Sequence, residues 1–168
     1  YHPCMSKCTR GDYDESINII ALERGLGDMG LDNPGWMKKS KASRDEKVAV
    51  VGAGPAGLSA AFYLARSGYP VTLFEADEQL GGVLRWGIPE YRLPKGILDR
   101  VVSSIIESGA IEVRTGVAVG KDIGLDKLEE EYDAVFIGIG LSSSRELGLD
   151  GEDSRGVEKG LEFLRKVN

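Results

Sequence analysis

Val48-Ala49-Val50-Val51-Gly52-Ala53-Gly54-Pro55-Ala56-Gly57 is a run of four apolar residues delivered straight into a G-x-G-x-x-G. The apolar run predicts a strand buried on both faces, as parallel sheets require. The glycine pattern alone is a weak signal, because glycine-rich turns are common. Placed directly after a strand and at the opening of a helix, it becomes a dinucleotide fingerprint. Gly52 permits the tight turn, Gly54 lets a pyrophosphate approach the backbone, and Gly57 lets the helix pack on the sheet. Ala53, Pro55 and Ala56 complete the loop, whose backbone N–H groups and positive helix end attract phosphate. The helix is expected over about Ala56 to Arg66, stopped by Gly68, with the next strand at Val71 to Phe74. Glu75 ends that strand, 18 residues after Gly57. A carboxylate there accepts the hydroxyls of an adenosine ribose and repels a 2′-phosphate, so the site suits FAD or NAD and disfavours NADP.

Beyond Glu75, helical and strand patterns keep alternating. Pro94 opens a helix whose apolar face holds Ile97, Leu98, Val101, Val102, Ile105 and Ile106, and Gly109 ends it. Residues 110 to 119 read as one or two strands, Asp126 to Glu131 as a short acidic helix, and Asp133 to Ile139 as another buried strand. Gly156 to Val167 reads as a last helix with Leu161 and Leu164 turned inward. Such alternation predicts an α/β doubly wound sheet, Rossmann-like, over residues 47–168.

The opening differs. Residues 1–35 hold both cysteines, and a helix from Glu15 to Arg24 is expected to stop at Gly25, with Gly27, Gly30, Asn33, Pro34 and Gly35 breaking the chain beyond it. The polar, basic stretch 36–46 reads as a linker.

Glycine makes up 23 of 168 residues, about twice the usual ~7%, so many positions serve tight turns and close backbone approach. With 42% apolar and 29% charged residues, the chain can bury a core. Its 21 basic and 27 acidic residues leave a net charge of −6, and no basic stripe is present to neutralise nucleic-acid phosphates. No window approaches the roughly 18 apolar residues of a membrane span, and no basic-then-apolar leader opens the chain. A soluble, cytoplasmic protein without membrane or nucleic-acid partners is expected. Because it opens at Tyr1 rather than Met, we expect the chain to be cut from something longer.

The strings VAVVGAGPAG from Val48 and LFEADEQLGGVLRWGIPEYRLPKGIL from Leu73 resemble the FAD-binding half of the glutamate synthase small-subunit family. That family is also similar to the N-terminal, electron-accepting part of dihydropyrimidine dehydrogenase. The most specific piece runs from Gly81 through Pro89 with Tyr91-Arg92-Leu93-Pro94. The resemblance implies a sheet of the two-dinucleotide flavoprotein type, with Glu75 and Ala76 at the ribose and Gly82, Leu84 and Arg92 along FAD. It also implies backbone from Val119 near the adenine. Tyr132 to Gly140 resembles the second glycine-bearing strand, which brings Gly140 past the cofactor. Arg92 can fork onto a phosphate oxygen or sit in a surface ion pair. Trp86 and Tyr91 are open between core packing and a place beside the flavin.

By the same likeness, residues 156 to 164 precede a second dinucleotide unit for NADPH or NADH. No further G-x-G-x-x-G follows Gly57, so that unit and the later return segment are expected to be missing. The implied activity is that of an FAD-dependent NAD(P)H oxidoreductase, inactive as a fragment, passing electrons through iron–sulfur clusters to a partner subunit or ferredoxin in a hetero-oligomer. No residue is expected to act as a catalytic acid or base. The rival readings are an NAD-binding dehydrogenase domain and a non-catalytic accessory module.

Cys4 and Cys8 are spaced C-x3-C, unlike the C-x-x-C of thioredoxin-like pairs. On their own they are open between an inert or disulfide-bonded pair, metal ligation, and a zinc site with His2 that stays one ligand short. The family resemblance implies that they end the motif holding [4Fe-4S] clusters. Such clusters need about four thiolates, so cysteines upstream or from another chain would complete the set.

Overall fold

The computed structural model describes residues 3–33 and 38–168. The chain divides into two compact units, Tyr1–Met37 and Lys38–Asn168. His2, Pro34 and Gly35 lie outside the described residues, so the readings placed on them go no further.

In the first unit, α1 (Pro3–Ser6) carries Cys4, a 3-10 turn spans Thr9–Asp12, and α2 runs from Ile19 to Asp32. The helix expected at Glu15–Arg24 is therefore displaced. It starts where Asn18 Oδ1 accepts the Ala21 N–H at 3.1 Å, and it continues through Gly25, Gly27 and Gly30. A glycine inside a helix costs only about 1 kcal/mol relative to alanine. It stops a helix when the chain adopts a left-handed turn there, and these three do not. The Arg24–Asp28 pair at 2.9 Å spans the first two of them.

The second unit is built on four parallel strands: β1 (Val48–Val51), β2 (Val71–Phe74), β3 (Ile111–Arg114) and β4 (Ala134–Ile137). Their order across the sheet is β3-β2-β1-β4, with Val48 opposite both Val71 and Ala134. Period-two alternation gives each strand two faces. On one face, Val48, Val50, Val71 and Leu73 pack under α3 (Pro55–Arg66) and α5 (Lys95–Ile106) through Leu58, Ala61, Ala65, Leu98 and Val102. On the other, Ala49, Val51 and Phe74 meet Leu128 of α6 (Leu125–Glu131), with Val117, Val119 and Tyr132 around them. Helices on both faces of a parallel sheet make it doubly wound, as expected.

The expected linker residues from Lys38 onward run along this unit: Ser40 N–H donates to Ser108 O at 2.8 Å and Ser43 N–H to Gly68 O at 2.9 Å. Two expectations need correction. The strand read as buried from Asp133 to Ile139 is shorter and largely exposed, Ile137 being 56% and Ile139 68% accessible. It lies at the sheet edge, bonded to β1 on one side among the described residues. The last helix, α7 (Gly160–Val167), begins four residues later than Gly156; Leu161 and Leu164 are half-buried, and no α7 residue is fully buried. The short helix α4 (Val83–Trp86) was not legible in the sequence pattern.

Candidate functional site

The chain steps outward from β1 to β2 to β3 and then crosses back to place β4 on the other side of β1. That reversal opens a crevice at the carboxyl ends of β1 and β4, where ligands of open α/β sheets bind. A groove of about 730 Å³ lies there. It is within the range of cofactor sites.

Its floor is the glycine loop. Gly52 has φ +95°, and a Cβ there would stand 2.5 Å from Gly138 O, so turn and neighbouring strand both demand glycine. A Cβ on Gly57 would overlap the Gly52 carbonyl oxygen; this glycine seats α3 on β1. Gly54 is different. A Cβ there meets nothing within 4 Å, so its own fold does not require glycine, and the open space faces the groove that Gly54 lines. Pro55 occupies the first helical position and the first intrahelical bond is Leu58 N–H to Gly54 O at 2.9 Å. The N–H groups of Ala56 and Gly57 precede it and have no acceptor within the helix, and Ala56 lines the groove at the positive helix end.

Glu75 is 8% accessible. Its carboxylate accepts the Ala53 N–H at 2.7 Å and the Asp77 N–H at 3.0 Å, tying the end of β2 to the glycine loop. An ionised carboxylate has about four lone-pair directions, so acceptor capacity remains for a ribose. Glu75→Ala is expected to lower stability by about 1–3 kcal/mol, because it orphans the Ala53 N–H. Thermal melting of the variant checks this, and a wild-type melting temperature would contradict it.

The second glycine turn lies on the first. Gly81 N–H donates to Ala53 O at 2.9 Å, and a Cβ on Gly82, where φ is +52°, would stand 2.8 Å from Gly54 Cα. The strand-end residues Gly138, Ile139 and Gly140, the last at φ +67°, form the opposite lip. Of the residues expected at the site, the groove gathers Gly52, Gly54, Pro55, Ala56, Glu75, Ala76, Gly82, Val119 and Gly140. Ala53 and Gly57 are buried beneath it. Leu84 packs against the core under α3 and α5, and Arg92 lies on the loop before α5; neither lines the groove. Trp86, left open by the sequence between core and cofactor, does line it, as do Asp77, Val117 and Arg165, which the sequence pattern did not single out. Tyr91 is exposed. The loop from Gly87 to Pro94 is pinned by Lys95, whose Nζ donates to Ile88 O, and by Glu90, which accepts the Lys95 N–H at 3.0 Å.

Cys4 and Cys8 are both free thiols, Cys4 exposed and Cys8 half-buried. Among the described residues no three metal-binding side chains converge. Backbone hydrogen bonding, Ile17 foremost and then Arg10, lowers the Cys8 pKa below the ordinary thiol value. The thiolate is the metal-ligating form of cysteine, so Cys8 is electronically suited to that role. In a Cys4→Ser background, the iodoacetamide alkylation rate of Cys8 should rise at lower pH in the folded protein than in urea. Coincident profiles would contradict this.

The model for the pyridine nucleotide-disulphide oxidoreductase family matches residues 46–168. The NADPH-Fe(3+) oxidoreductase subunit beta of Geobacter sulfurreducens is 41% identical over 99% of this chain and 25% of its own length. The glutamate synthase [NADPH] small chain of Bacillus subtilis is 38% identical over 96% of this chain and 33% of its own. The structure of Mycobacterium tuberculosis FprA in complex with NADPH superposes with a TM-score of 0.66 at 26% identity, over 73% of this chain and 28% of that one. The chain thus spans about a quarter to a third of the length of these relatives. No helix among the described residues is long and apolar enough to cross a membrane.

Proposed function

The chain belongs to the pyridine nucleotide-disulphide oxidoreductase family, and we propose that it is the FAD-binding portion of an NAD(P)H-dependent flavin and iron–sulfur oxidoreductase. The observation that carries this reading is the groove at the strand crossover. There an unobstructed Gly54, the start of α3, the Glu75 carboxylate and the Gly138–Gly140 lip line one cleft sized for a dinucleotide.

In this reading the Ala56 N–H at the start of α3 holds the pyrophosphate and Glu75 orients the adenosine ribose. Gly82 and Gly140 keep side chains out of the path of the ring. FAD held there would supply hydride and single-electron chemistry. The ionisable residues lining the groove are Glu75, Asp77 and Arg165; Glu75 and Asp77 follow β2, on the adenosine side. The chain's own work is therefore to bind, position and shield the cofactor. Leu84 would support the second glycine turn from the core, whereas Arg92, expected along FAD, does not line this groove.

Cys4 and Cys8 would ligate [4Fe-4S] clusters together with thiolates from elsewhere in the protein. NADPH or NADH would bind in a separate unit. The relatives named as a subunit beta and a small chain support assembly with an electron-accepting partner.

An anaerobic absorption spectrum of the protein before and after adding FAD, with iron and acid-labile sulfide assayed on the same sample, tests the proposal. Flavin bands that stay with the protein through gel filtration, with a broad iron–sulfur shoulder, are expected. A protein that remains colourless and leaves FAD in the small-molecule fraction would overturn it.

A further inference from the structure

We propose that Arg165, supplied by α7, is a further dinucleotide-binding residue that closes the adenosine end of the groove. This rests on reading the groove as a dinucleotide site. Arg165 Nη1 and Nη2 fork onto Asp77 Oδ1 and Oδ2 at 3.0 and 3.3 Å. The guanidinium carbon lies 4.5 Å from the centre of the Trp86 ring, and all three residues line the groove beside Ala76 and Glu75. Asn168 Nδ2 donates to the Trp86 carbonyl at 3.0 Å, so the residue that ends α7 grips the backbone of the same tryptophan. At its other end, Leu161 N–H donates to Ser144 Oγ at 3.2 Å, and that hydroxyl donates to Glu162 at 2.8 Å.

Two features point to ligand binding rather than fold maintenance. α7 buries no residue fully, and partly exposed ion pairs of this kind add little to stability, yet this one is bidentate and stacked at a groove wall. The second is charge. Glu75 and Asp77 place two carboxylates at the end of the groove where a ligand carrying an anionic pyrophosphate must enter. Arg165 neutralises Asp77 and sets a planar cation within the groove, where a guanidinium can hold phosphate or a flat base. It thereby converts a repulsive wall into an attractive one. Because the residue comes from α7, filling the adenosine end and docking α7 favour each other.

The test compares ADP, which carries adenosine and pyrophosphate without flavin, with FAD by calorimetric titration of the protein. Arg165→Ala should weaken both by about tenfold while the melting temperature stays at the wild-type value. Arg165→Lys, which keeps the charge and loses the planar fork, should fall between the two. Adding Asp77→Asn to Arg165→Ala should recover part of the lost affinity, because it removes the uncompensated carboxylate; a merely structural latch would not be rescued this way. Wild-type ADP and FAD affinity in Arg165→Ala, or no rescue in the double variant, would overturn the role of Arg165 and leave the groove reading intact. Failure of the wild type to bind either ligand would overturn both.

Discussion

Gly54→Val should reduce FAD affinity by about a hundredfold or more and leave the sheet and helices in place. The reason separates this glycine from its neighbours. The space its Cβ would enter is free of protein atoms, so the chain accommodates a side chain there without moving. The same space is the approach to the start of α3, where a pyrophosphate must come within hydrogen-bond distance of the backbone. Valine's two methyl groups fill it. Gly54 is also the N-cap of α3, and replacing glycine with valine at a cap costs about 1 kcal/mol. The expected signature is therefore lost binding with an unchanged far-ultraviolet circular dichroism spectrum and a small drop in melting temperature. Normal FAD affinity in this variant would remove the glycine loop from the site.

Gly57→Ala should do the reverse, with fold stability lost first. A methyl group at Gly57 would occupy the position of the Gly52 carbonyl oxygen, and it would also reach 3.4 Å from Val50 Cγ1. Both neighbours are fixed, Gly52 by its bond to Phe74 O at 2.8 Å and Val50 by full burial. The strain is relieved only by lifting α3 from β1, which opens the core around Leu58 and Ala61. Overpacking of this kind costs about 3 kcal/mol, equivalent to about 10 °C in melting temperature for a domain of this size. Thermal melting followed by circular dichroism measures it. A melting temperature close to that of the wild type would show that α3 is not seated as described.

Such a contrast between two glycines of one turn shows how far the sequence could be read. Local signals survive well. The strand, glycine turn and helix from Val48 to Arg66, the strand at Val71–Phe74 and the helix after Pro94 are each marked by residues close together in the chain. Their order implied the doubly wound sheet. The exposure of β4 was not legible, because an apolar run gives the same pattern whether a neighbour covers its outer edge or not. α2 ran past its expected end because Gly25 and Gly27 stay helical, and the Asn18 cap set its start. In the groove, Glu75 was found because its spacing from the glycine loop is regular. Trp86 and Arg165 are 79 residues apart, and only the fold brings them together, so nothing in their local sequence marks them as partners. Gly82 was expected to make way for a ligand, and the structure adds a second constraint, its close approach to Gly54.

The most direct test of the account is a calorimetric titration of the protein with FAD, followed by competition with NAD+ and NADPH. FAD should bind at about one per chain, through the groove, and neither nicotinamide dinucleotide should displace it. Tighter binding of NAD+ at the same site, or no binding of FAD, would contradict it.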